Sequence, residues 1–407
     1  MSVVTHQSLF LYNFNLEINL PMSQMTRRDF IKKTLLTGSA ATGVALGLRP
    51  QPIRGLSDFA DIEPEQVSPL TLHEASYYEK LPNLGIKCTL EPRQCVINEG
   101  ERGYCGAREN RGGVYYTLVY EHACAAYPEP IERHHFYHLL PGKKALAIGT
   151  AGCNLRCRFC ETWPISQSRP EDIPSEKLSA DDVVERALAE DCQAIIFAYN
   201  EPTIYFEYML DIAKETKRAG LITASQTAGY IYPEPLKEIC EYLDAINVDL
   251  KGFTKEYYQK NCGVKVQLER ILDAIKIINQ SYSILEITNL VVPELNDNPQ
   301  LISDMSVWIR ENIGTDVPLH FARFFPNYQL AKHYATPLET LEKAYDIAKN
   351  AGLQYVYLDN VGKHKATSTY CPKCGETLIQ RSESKVDIVG MKNGQCMNCE
   401  HKIAGVW

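Results

Sequence analysis

Three cysteines lie close together in one short stretch of the chain, AGCNLRCRFCETW, which runs from residue 151 to residue 163. Cys153, Cys157 and Cys160 follow the spacing Cys-x3-Cys-x2-Cys, and the next cysteine along the chain is Cys192. Thiolates at this spacing suit a compact loop around one corner of an iron–sulfur cube, which takes four ligands. With three thiolates, one iron keeps an open position, and an open position is typical of a catalytic rather than a structural metal.

The chain that follows this loop alternates short apolar runs with longer amphipathic runs. The apolar runs predict seven strands, at residues 144–150, 194–199, 221–226, 245–250, 284–292, 318–324 and 355–358. The amphipathic runs predict helices between them, the first at 179–190 with Ser179 as its cap. This alternation indicates βαβ units and a parallel sheet. We therefore predict an α/β fold with a full or partial (β/α) barrel, and a doubly wound open sheet is the alternative.

In both folds, chemistry takes place at the carboxyl ends of the strands. The cysteine loop directly follows the first predicted strand. The stretch AYNEPT (198–203) follows the second strand, and DLK (249–251) follows the fourth. We therefore expect all three stretches to meet at one edge of the sheet.

The pattern Cys153-x3-Cys157-x-Phe159-Cys160 resembles the signature of the radical S-adenosylmethionine (SAM) superfamily, in which an aromatic residue precedes the last cysteine. The resemblance implies that the three thiolates bind three irons of a [4Fe–4S] cluster and that SAM binds the fourth iron. It also implies that reductive cleavage of SAM gives methionine and a 5′-deoxyadenosyl radical, which abstracts hydrogen from a substrate. The protein then orients the cofactor and excludes water.

The same resemblance implies SAM-binding roles for residues at other strand ends. The superfamily carries a Gly-Gly-Glu-Pro-like motif for the SAM amine, and it corresponds here to Tyr199, Asn200, Glu201 and Pro202, with both glycines replaced. Asp249 and Lys251 resemble the strand-four motif of glycyl-radical activating enzymes, in which the lysine reaches the SAM carboxylate. A solvated strand end is the alternative for this pair. The resemblance further implies that Phe159 contacts the adenine.

Three longer stretches resemble the AmmeMemoRadiSam-system radical SAM enzymes, relatives of pyruvate formate-lyase activating enzyme. These stretches are CVINEGERGYCGARENRGGVYYTLVY (95–120), PIERHHFYHLLPG (130–142) and IGTAGCNLRCRFC (148–160), and the resemblance extends over residues 80–407. That family typically has four cysteines before the barrel. Here three of them match, and a glutamate replaces the fourth, in the set Cys88, Glu91, Cys95 and Cys105. A carboxylate can ligate zinc, so a Cys3Glu site and loss of the metal are both left open.

Three histidines, His134, His135 and His138, follow in the next stretch. Adjacent histidines point to different faces, and the family does not carry this cluster. We therefore do not favour a metal site here.

Near the end of the chain, two Cys-x2-Cys pairs predict a zinc ribbon with four thiolates on a tetrahedral Zn²⁺ ion. The four ligands are Cys371, Cys374, Cys396 and Cys399. A mononuclear iron site is the alternative. Because four thiolates close the coordination sphere, the expected role of this metal is to fold the tail.

Composition limits the remaining choices. The chain has 407 residues, 45% hydrophobic and 23% charged, which is typical of a globular protein. A net charge of −8 argues against the basic footprint of a nucleic-acid-binding protein. Most of the 14 cysteines fall in the three groups above, which suits metal ligation better than disulfides. The others are expected to be buried free thiols, namely Cys124, Cys192, Cys240 and Cys262.

The stretch MTRRDFIKKTLLTGSAATGVALGL (25–48) has two arginines, a phenylalanine, two lysines and a weakly apolar run. This is the layout of a twin-arginine export signal. The apolar part is too short for a stable membrane span. We therefore predict export in folded form, to the periplasm or the outer face of the cytoplasmic membrane, with a cytoplasmic location as the alternative.

The predicted organisation has four parts: a leader (1–55), a β-rich segment with cysteines (75–143), a radical SAM barrel (144–366) and a zinc-ribbon-like module (367–407). The expected function is that of a radical SAM enzyme with a [4Fe–4S] cluster, SAM and Zn²⁺. It needs an electron donor such as flavodoxin or ferredoxin. Its substrate is either a protein, as for activating enzymes, or a small molecule. A non-catalytic iron–sulfur electron-transfer protein is the alternative from a different class.

Overall fold

The computed structural model describes residues 70–263, 265–382 and 385–407, so the predicted export signal lies outside the described residues. Seven short strands come first: β1 (His73–Glu74), β2 (Tyr78–Lys80), β3 (Ile86–Cys88), β4 (Val96–Ile97), β5 (Arg108–Arg111), β6 (Val114–Thr117) and β7 (His122–Ala123). Most of them form two three-stranded antiparallel sheets, β1-β6-β5 and β2-β3-β4. Gly112 and Gly113 both have positive φ and form the two-residue turn between β5 and β6.

One eight-stranded sheet forms the centre of the protein. Its strands are β8 (Ala125–Pro130), β9 (Lys144–Gly149), β11 (Ala194–Phe197), β12 (Ile222–Thr227), β13 (Ala245–Asp249), β14 (Ile284–Val291), β15 (Leu319–Arg323) and β16 (Val356–Asp359). The seven strands predicted from the sequence are all present in this sheet, as β9 and β11–β16. A short strand outside the sheet, β10 (Glu176–Lys177), pairs with β7.

The order of the strands decides between the two predicted folds. From one edge to the other the sheet reads β8-β9-β11-β12-β13-β14-β15-β16, and every neighbouring pair is parallel except β8 with β9. A doubly wound sheet reverses its order at a switch point, whereas a barrel follows the chain. Among the described residues, β8 and β16 are the two free edges of this sheet. The fold is therefore a partial (β/α) barrel, and the doubly wound alternative is wrong.

Helices connect the parallel strands. They are α1 (Trp163–Ser166), α2 (Ala180–Ala189), α3 (Phe206–Arg218), α4 (Pro233–Cys240), α5 (Lys255–Asn261), α6 (Leu268–Asn279), α7 (Pro299–Asn312) and α8 (Leu338–Asn350). Single 3-10 turns lie at Ile131–His134, Pro170–Asp172, Pro202–Tyr205, Tyr328–Leu330 and Lys365–Thr367. A capping box starts α2, because Ser179 and Asp182 each accept a hydrogen bond from the other's backbone N–H. Within the described residues, no helix combines the length and the apolar character needed to cross a membrane.

Residues 131–140, called the floor segment below, close the amino end of the barrel. Ile131, Phe136 and Leu139 are fully buried there. They pack against small side chains near the starts of the strands, Ala145, Ala194, Ala224 and Ala245. Because alanines occupy little volume, the sheet leaves room for the ring of Phe136 at this end. The carboxyl end of the strands, where the cysteine loop lies, is the opposite end.

The tail packs against the floor segment and β16. Its strands are β17 (Thr369–Tyr370), β18 (Thr377–Ser382), β19 (Lys385–Ile388), β20 (Met391–Lys392) and β21 (Gln395–Cys396). Tyr137 of the floor shares a hydrophobic cluster with Tyr357 and the tail residue Leu378. Arg381 donates a hydrogen bond of 2.6 Å to the carbonyl oxygen of Tyr137. The tail module therefore supports the floor of the barrel from outside.

Candidate active site

The cysteine loop follows β9 directly and is held by the segment before the barrel. The backbone N–H of Cys153 donates a hydrogen bond of 3.2 Å to the carbonyl oxygen of Cys105. Gly152 has a φ of +93°, and a Cβ at this residue would lie 2.5 Å from the same oxygen. Glycine is therefore required here both for its backbone conformation and for the close approach of the two chains.

Two further elements fix the loop. Asn200, after β11, donates from Nδ2 to the carbonyl oxygen of Gly152 at 2.8 Å and accepts from the backbone N–H of Thr150 at 3.1 Å. Directly before Cys157, the backbone N–H of Arg156 donates to the carbonyl oxygen of Cys262 at 2.7 Å. The loop conformation is thus set by three separate parts of the chain.

The three loop thiols lie inside the protein rather than on its surface. Burial raises the pKa of Cys153, and the nearby carboxylate of Glu201 raises it further. A hydrogen bond with Cys262, together with burial, raises the pKa of Cys157. Burial also raises the pKa of Cys160, although the hydroxyl of Ser166, 3.1 Å from its sulfur, acts in the opposite sense. Metal binding at these thiols therefore has to displace protons.

Glu201 is held rigidly at the carboxyl edge between β11 and β12. Its Oε1 accepts hydrogen bonds from the hydroxyls of Thr203 (2.7 Å) and Thr227 (2.6 Å). Its Oε2 accepts a hydrogen bond of 2.8 Å from the backbone N–H of Ala228. A buried carboxylate oriented in this way can accept a hydrogen bond from a ligand amine without rearranging.

The other residues of the predicted SAM-amine motif have different surroundings. Tyr199 has a φ of +67°, the conformation that glycine favours, and its side chain packs against Gly149. Burial and then the charge of Glu129 raise the pKa of Tyr199, and its ring lies 5.9 Å from that of His134 in an edge-on contact. The side-chain amide of Asn200 hydrogen-bonds to the cysteine loop. Pro202 begins a 3-10 turn. The structure therefore gives Asn200 a positioning role.

Buried Lys251 forms an ion pair with the partly exposed Asp249 beside the cysteine loop. Burial alone would lower the pKa of Lys251, but the Asp249 carboxylate raises it well above its usual value. The ammonium nitrogen lies 6.0 Å from the centre of the Phe159 ring, which stacks on Tyr257 at 6.4 Å. Both Lys251 and Asp249 are among the charges that act on Cys157. The predicted residues of strand ends one and four are thus brought together.

Several buried polar atoms in this region have no hydrogen-bond partner within the described protein. Among them are Asp249 Oδ1, the Tyr257 hydroxyl and, in the cysteine loop itself, Asn154 Oδ1. Orphaned buried polar atoms are costly unless a ligand or water satisfies them. Together with the oriented Glu201 and the ring of Phe159, they fit a polar ligand such as SAM beside the cysteine loop.

Charged groups that we did not predict lie next to the cysteine loop and on the barrel strands. Glu161 directly follows Cys160, and the charges of Arg133, His135 and Glu129 act on it. On the strands, His320 lies between the carboxylates of Glu286 (2.8 Å) and Asp359 (3.0 Å). The available signal was polar residues inside strongly apolar strands, as in ILEITNLVV and PLHFARF.

The three neighbouring histidines have different partners. His134 contacts Glu129 at 3.0 Å, and His135 contacts Asp359 at 2.6 Å. His138 contacts the Tyr357 hydroxyl and the carbonyl oxygen of Ala404. The three rings therefore contact three different sets of groups.

The cysteines before the barrel line one small cavity. Cys88, Glu91, Cys95 and Cys105 all border it, together with Asn154 of the cysteine loop. Burial raises the pKa of Cys88 to about 12 and that of Glu91 to about 7. The glutamate that replaces the fourth cysteine thus faces the same cavity as the three thiols. A Cys3Glu metal site and loss of the metal both remain predictions.

The tail cysteines are drawn together closely enough for one metal ion. Among the described residues, they form the one group of such ligands whose atoms all lie within 4.8 Å of one another: Cys371, Cys374, Cys396 and Cys399. Two of the sulfur–sulfur distances are 3.5 Å and 3.6 Å, close to the ~3.8 Å between thiolates on a tetrahedral zinc ion. The backbone N–H of Glu376 lowers the pKa of Cys374 to about 6. The residues therefore fit a four-thiolate metal, and the identity of that metal remains a prediction.

The isolated cysteines are buried, as expected, but one of them is not isolated in space. Cys262 lies at the end of α5 in contact with Cys157. Nothing in its sequence neighbourhood marked it as part of the loop environment.

Known proteins similar to this chain include radical SAM proteins. The profile of the Radical SAM superfamily matches residues 148–304. The chain is 39% identical to an uncharacterized protein of Methanocaldococcus jannaschii over 82% of this chain and 99% of that protein. It is 26% identical to a pyruvate formate-lyase-activating enzyme of Clostridium pasteurianum over 38% of this chain and 65% of that enzyme. A domain of such an enzyme from Bacteroides vulgatus aligns with 40% of this chain at 18% identity and a TM-score of 0.36.

The fold and the site together define an α/β protein with a cysteine loop at the carboxyl edge of a mostly parallel sheet. The chain belongs to the radical SAM superfamily. Members of this superfamily are generally enzymes, and membership implies a [4Fe–4S] cluster and SAM.

Proposed function

We propose that this protein is a radical SAM enzyme that abstracts hydrogen from a protein substrate. The observation that carries the proposal is the meeting of three strand ends. The thiol of Cys153 lies in the field of Glu201, and the thiol of Cys157 lies in the field of Lys251 and Asp249. These are the residues that a SAM site needs beside a cluster with one open iron.

In this proposal Cys153, Cys157 and Cys160 hold the cluster. When bound, the cluster and SAM supply one-electron reductive cleavage of SAM and a carbon-centred radical that takes a hydrogen atom from the substrate. The chain orients the cofactor, and it excludes water by burying the site.

The SAM-binding residues have separate tasks. Glu201 accepts a hydrogen bond from the amine, Lys251 pairs with the carboxylate, and Phe159 packs on the adenine. Asp249 keeps Lys251 charged and leaves Oδ1 as an acceptor for a further donor of the ligand. Tyr199, Asn200 and Pro202 shape this edge of the site.

The named activating enzyme among the relatives supports a protein substrate. It matches 38% of this chain and just under two thirds of its own length, so a small-molecule substrate is the competing outcome. The test is electron paramagnetic resonance of the reduced protein incubated with SAM and a glycyl-radical enzyme of the same organism. A glycyl radical on that partner supports a protein substrate, and turnover of a small molecule without it contradicts one.

Binding of SAM to the cluster can be tested before any substrate is known. The reconstituted protein, reduced anaerobically, is expected to change its cluster resonance signal when SAM is added. The variant Glu201→Gln removes the acceptor charge and is expected to weaken the response, whereas Glu190→Gln, at the exposed end of α2, should leave it unchanged. A cluster that never responds to SAM would instead support the electron-transfer alternative.

We also propose export through the twin-arginine pathway, which carries folded proteins and would tolerate a preformed cluster. The supporting observation is the Arg27-Arg28 pair followed by Phe30 and a weakly apolar run. A fusion of residues 22–60 to a reporter specific for this pathway tests it, with Arg27→Lys/Arg28→Lys as the control. A reporter that stays in the cytoplasm contradicts export.

A further inference from the structure

The ring of His135 contacts a carboxylate in the barrel interior, and none of the roles described above involves it. Its Nδ1 lies 2.6 Å from Asp359 Oδ2, and its side chain keeps 15% of its surface exposed. The backbone of His135 is left-handed, with a φ of +58°, where the 3-10 turn of the floor segment ends. A non-glycine residue in this conformation is uncommon and persists only where its surroundings hold it.

A chain of buried groups stands behind this ring. Asp359 Oδ2 also contacts His320 Nδ1 at 3.0 Å, and His320 Nε2 contacts Glu286 Oε2 at 2.8 Å. Glu286 in turn accepts a hydrogen bond of 3.0 Å from the backbone N–H of Tyr137. His320 and Glu286 are fully buried and Asp359 nearly so, and each comes from a different strand, β15, β14 and β16 respectively.

The charges of this chain keep Asp359 ionised. Burial alone would raise the pKa of Asp359, but His320 and His135 lower it far below its usual value. An ionised carboxylate can only accept hydrogen bonds, so His135 donates from Nδ1 and leaves Nε2 as its available nitrogen. This is the arrangement by which a buried carboxylate fixes the tautomer of a histidine base.

Asp359 is the last residue of β16, so its contact with His135 places the ring toward the carboxyl end of the sheet, the end where the cysteine loop lies. The titratable and charged groups around His135 are Asp359 on β16, His320 on β15, Glu286 on β14, Glu161 in the loop, Glu129 on β8, and Arg133 and His134 in the floor segment. The ring therefore adjoins the buried relay toward this end of the sheet.

We propose that His135 is the proton-transfer residue of the substrate site, with Asp359 and the His320–Glu286 pair as positioning residues. This inference rests on the proposed radical function. It restricts the substrate class to molecules or side chains with an ionisable O–H or N–H group next to the C–H bond that breaks.

In this step the C–H bond of the substrate breaks. It gives one hydrogen atom, with its electron, to the radical and leaves an unpaired electron on the carbon. Nε2 of neutral His135 takes the proton from the adjacent O–H or N–H, and the electron pair of that bond stays on the substrate. His135 becomes an imidazolium that Asp359 stabilises through Nδ1–H.

The test uses diethyl pyrocarbonate as a probe of free imidazole nitrogens in the full, cluster-loaded protein without reductant. His73 is the control, because it is partly exposed and lies in the segment before the barrel, where its ring stacks on Tyr120. Peptide mass spectrometry compares the modification of both residues with and without SAM. We expect SAM to slow modification of His135 several-fold and to leave His73 unchanged.

If His135 does not react with the probe, the inference is wrong while the proposed function stands. The same holds if SAM is shown to bind but does not change the rate at which His135 reacts. Failure of SAM to bind contradicts the proposed function instead. A second measurement is the ring tautomer of His135 by nuclear magnetic resonance in the isosteric variant Asp359→Asn. Loss of the carboxylate acceptor is expected to move the ring hydrogen from Nδ1 toward Nε2. An unchanged tautomer would mean that Asp359 does not orient His135.

Discussion

The carbonyl oxygen of Cys105 occupies the space where Gly152 would carry a side chain, 2.5 Å from the position of a Cβ. The segment before the barrel thereby fixes the conformation of the cysteine loop. We expect Gly152→Ala to displace the loop and to lower the iron and sulfide content after anaerobic reconstitution severalfold, because backbone cannot move aside as a side-chain tip can.

A matched control separates this clash from backbone strain. Gly100 also has a positive φ, +75°, but nothing lies within 4 Å of its Cβ position. Gly100→Ala is therefore expected to cost only about 1–2 kcal/mol of stability and to keep the full cluster content. Equal iron content in the two variants would show that Cys105 does not constrain the loop.

A buried ion pair attaches the segment before the barrel to α3. Arg108 and Glu207 are almost fully buried and form two hydrogen bonds, of 3.0 Å and 2.5 Å. Glu207→Gln leaves a buried charge uncompensated and is expected to lower the free energy of unfolding by about 3–5 kcal/mol in urea denaturation. The exposed pair Arg186–Glu176 is the control, and Glu176→Gln should cost no more than about 1 kcal/mol. Similar losses in both variants would contradict the importance of burial.

The relay histidine gives stability a pH dependence. Burial opposes charge on His320, but Asp359 and Glu286 raise its pKa from 6.5 to about 9. Because the folded-state pKa is the higher one, this stabilisation is complete below pH 6.5 and is lost as the pH rises through 9. We expect wild type to lose about 3 kcal/mol more than His320→Gln across this window in urea denaturation. Parallel pH profiles would show that His320 is not charged in the folded protein.

The tail metal site should be separable from the cluster. Cys374→Ser is expected to abolish binding of about one equivalent of zinc by elemental analysis, because a structural site needs all four thiolates. The loop cysteines are untouched, so iron content should persist while the melting temperature falls. Cys192→Ser, at a buried cysteine outside both sites, is the control. Retention of zinc in Cys374→Ser would exclude the four-thiolate site.

Much of the fold was predictable because its signals are local. The seven parallel strands are continuous apolar runs, and Ser179 and the Gly112–Gly113 turn carry their own capping and turn chemistry. The addition of β8 to the sheet was not predictable. Pro128 and Pro130 make this strand look like a loop, and proline is tolerated there because β8 is an edge strand.

The site was predictable only where residues adjoin a strand end. The cysteine loop, Glu201 and Lys251 all follow this rule. His135, Cys262 and the Cys105 contact do not, because they reach the site through long-range packing of the floor segment, α5 and the segment before the barrel. Asn200 shows a related limit, since its position in the motif was clear but its amide turned out to anchor the cysteine loop.

The most direct test of the central claim is the formation of 5′-deoxyadenosine. The reconstituted protein is incubated anaerobically with SAM and dithionite, and the products are separated by liquid chromatography and mass spectrometry. We expect 5′-deoxyadenosine and methionine in equal amounts from wild type, and no 5′-deoxyadenosine from Cys157→Ser. Absence of 5′-deoxyadenosine from wild type with an intact cluster would contradict the central claim.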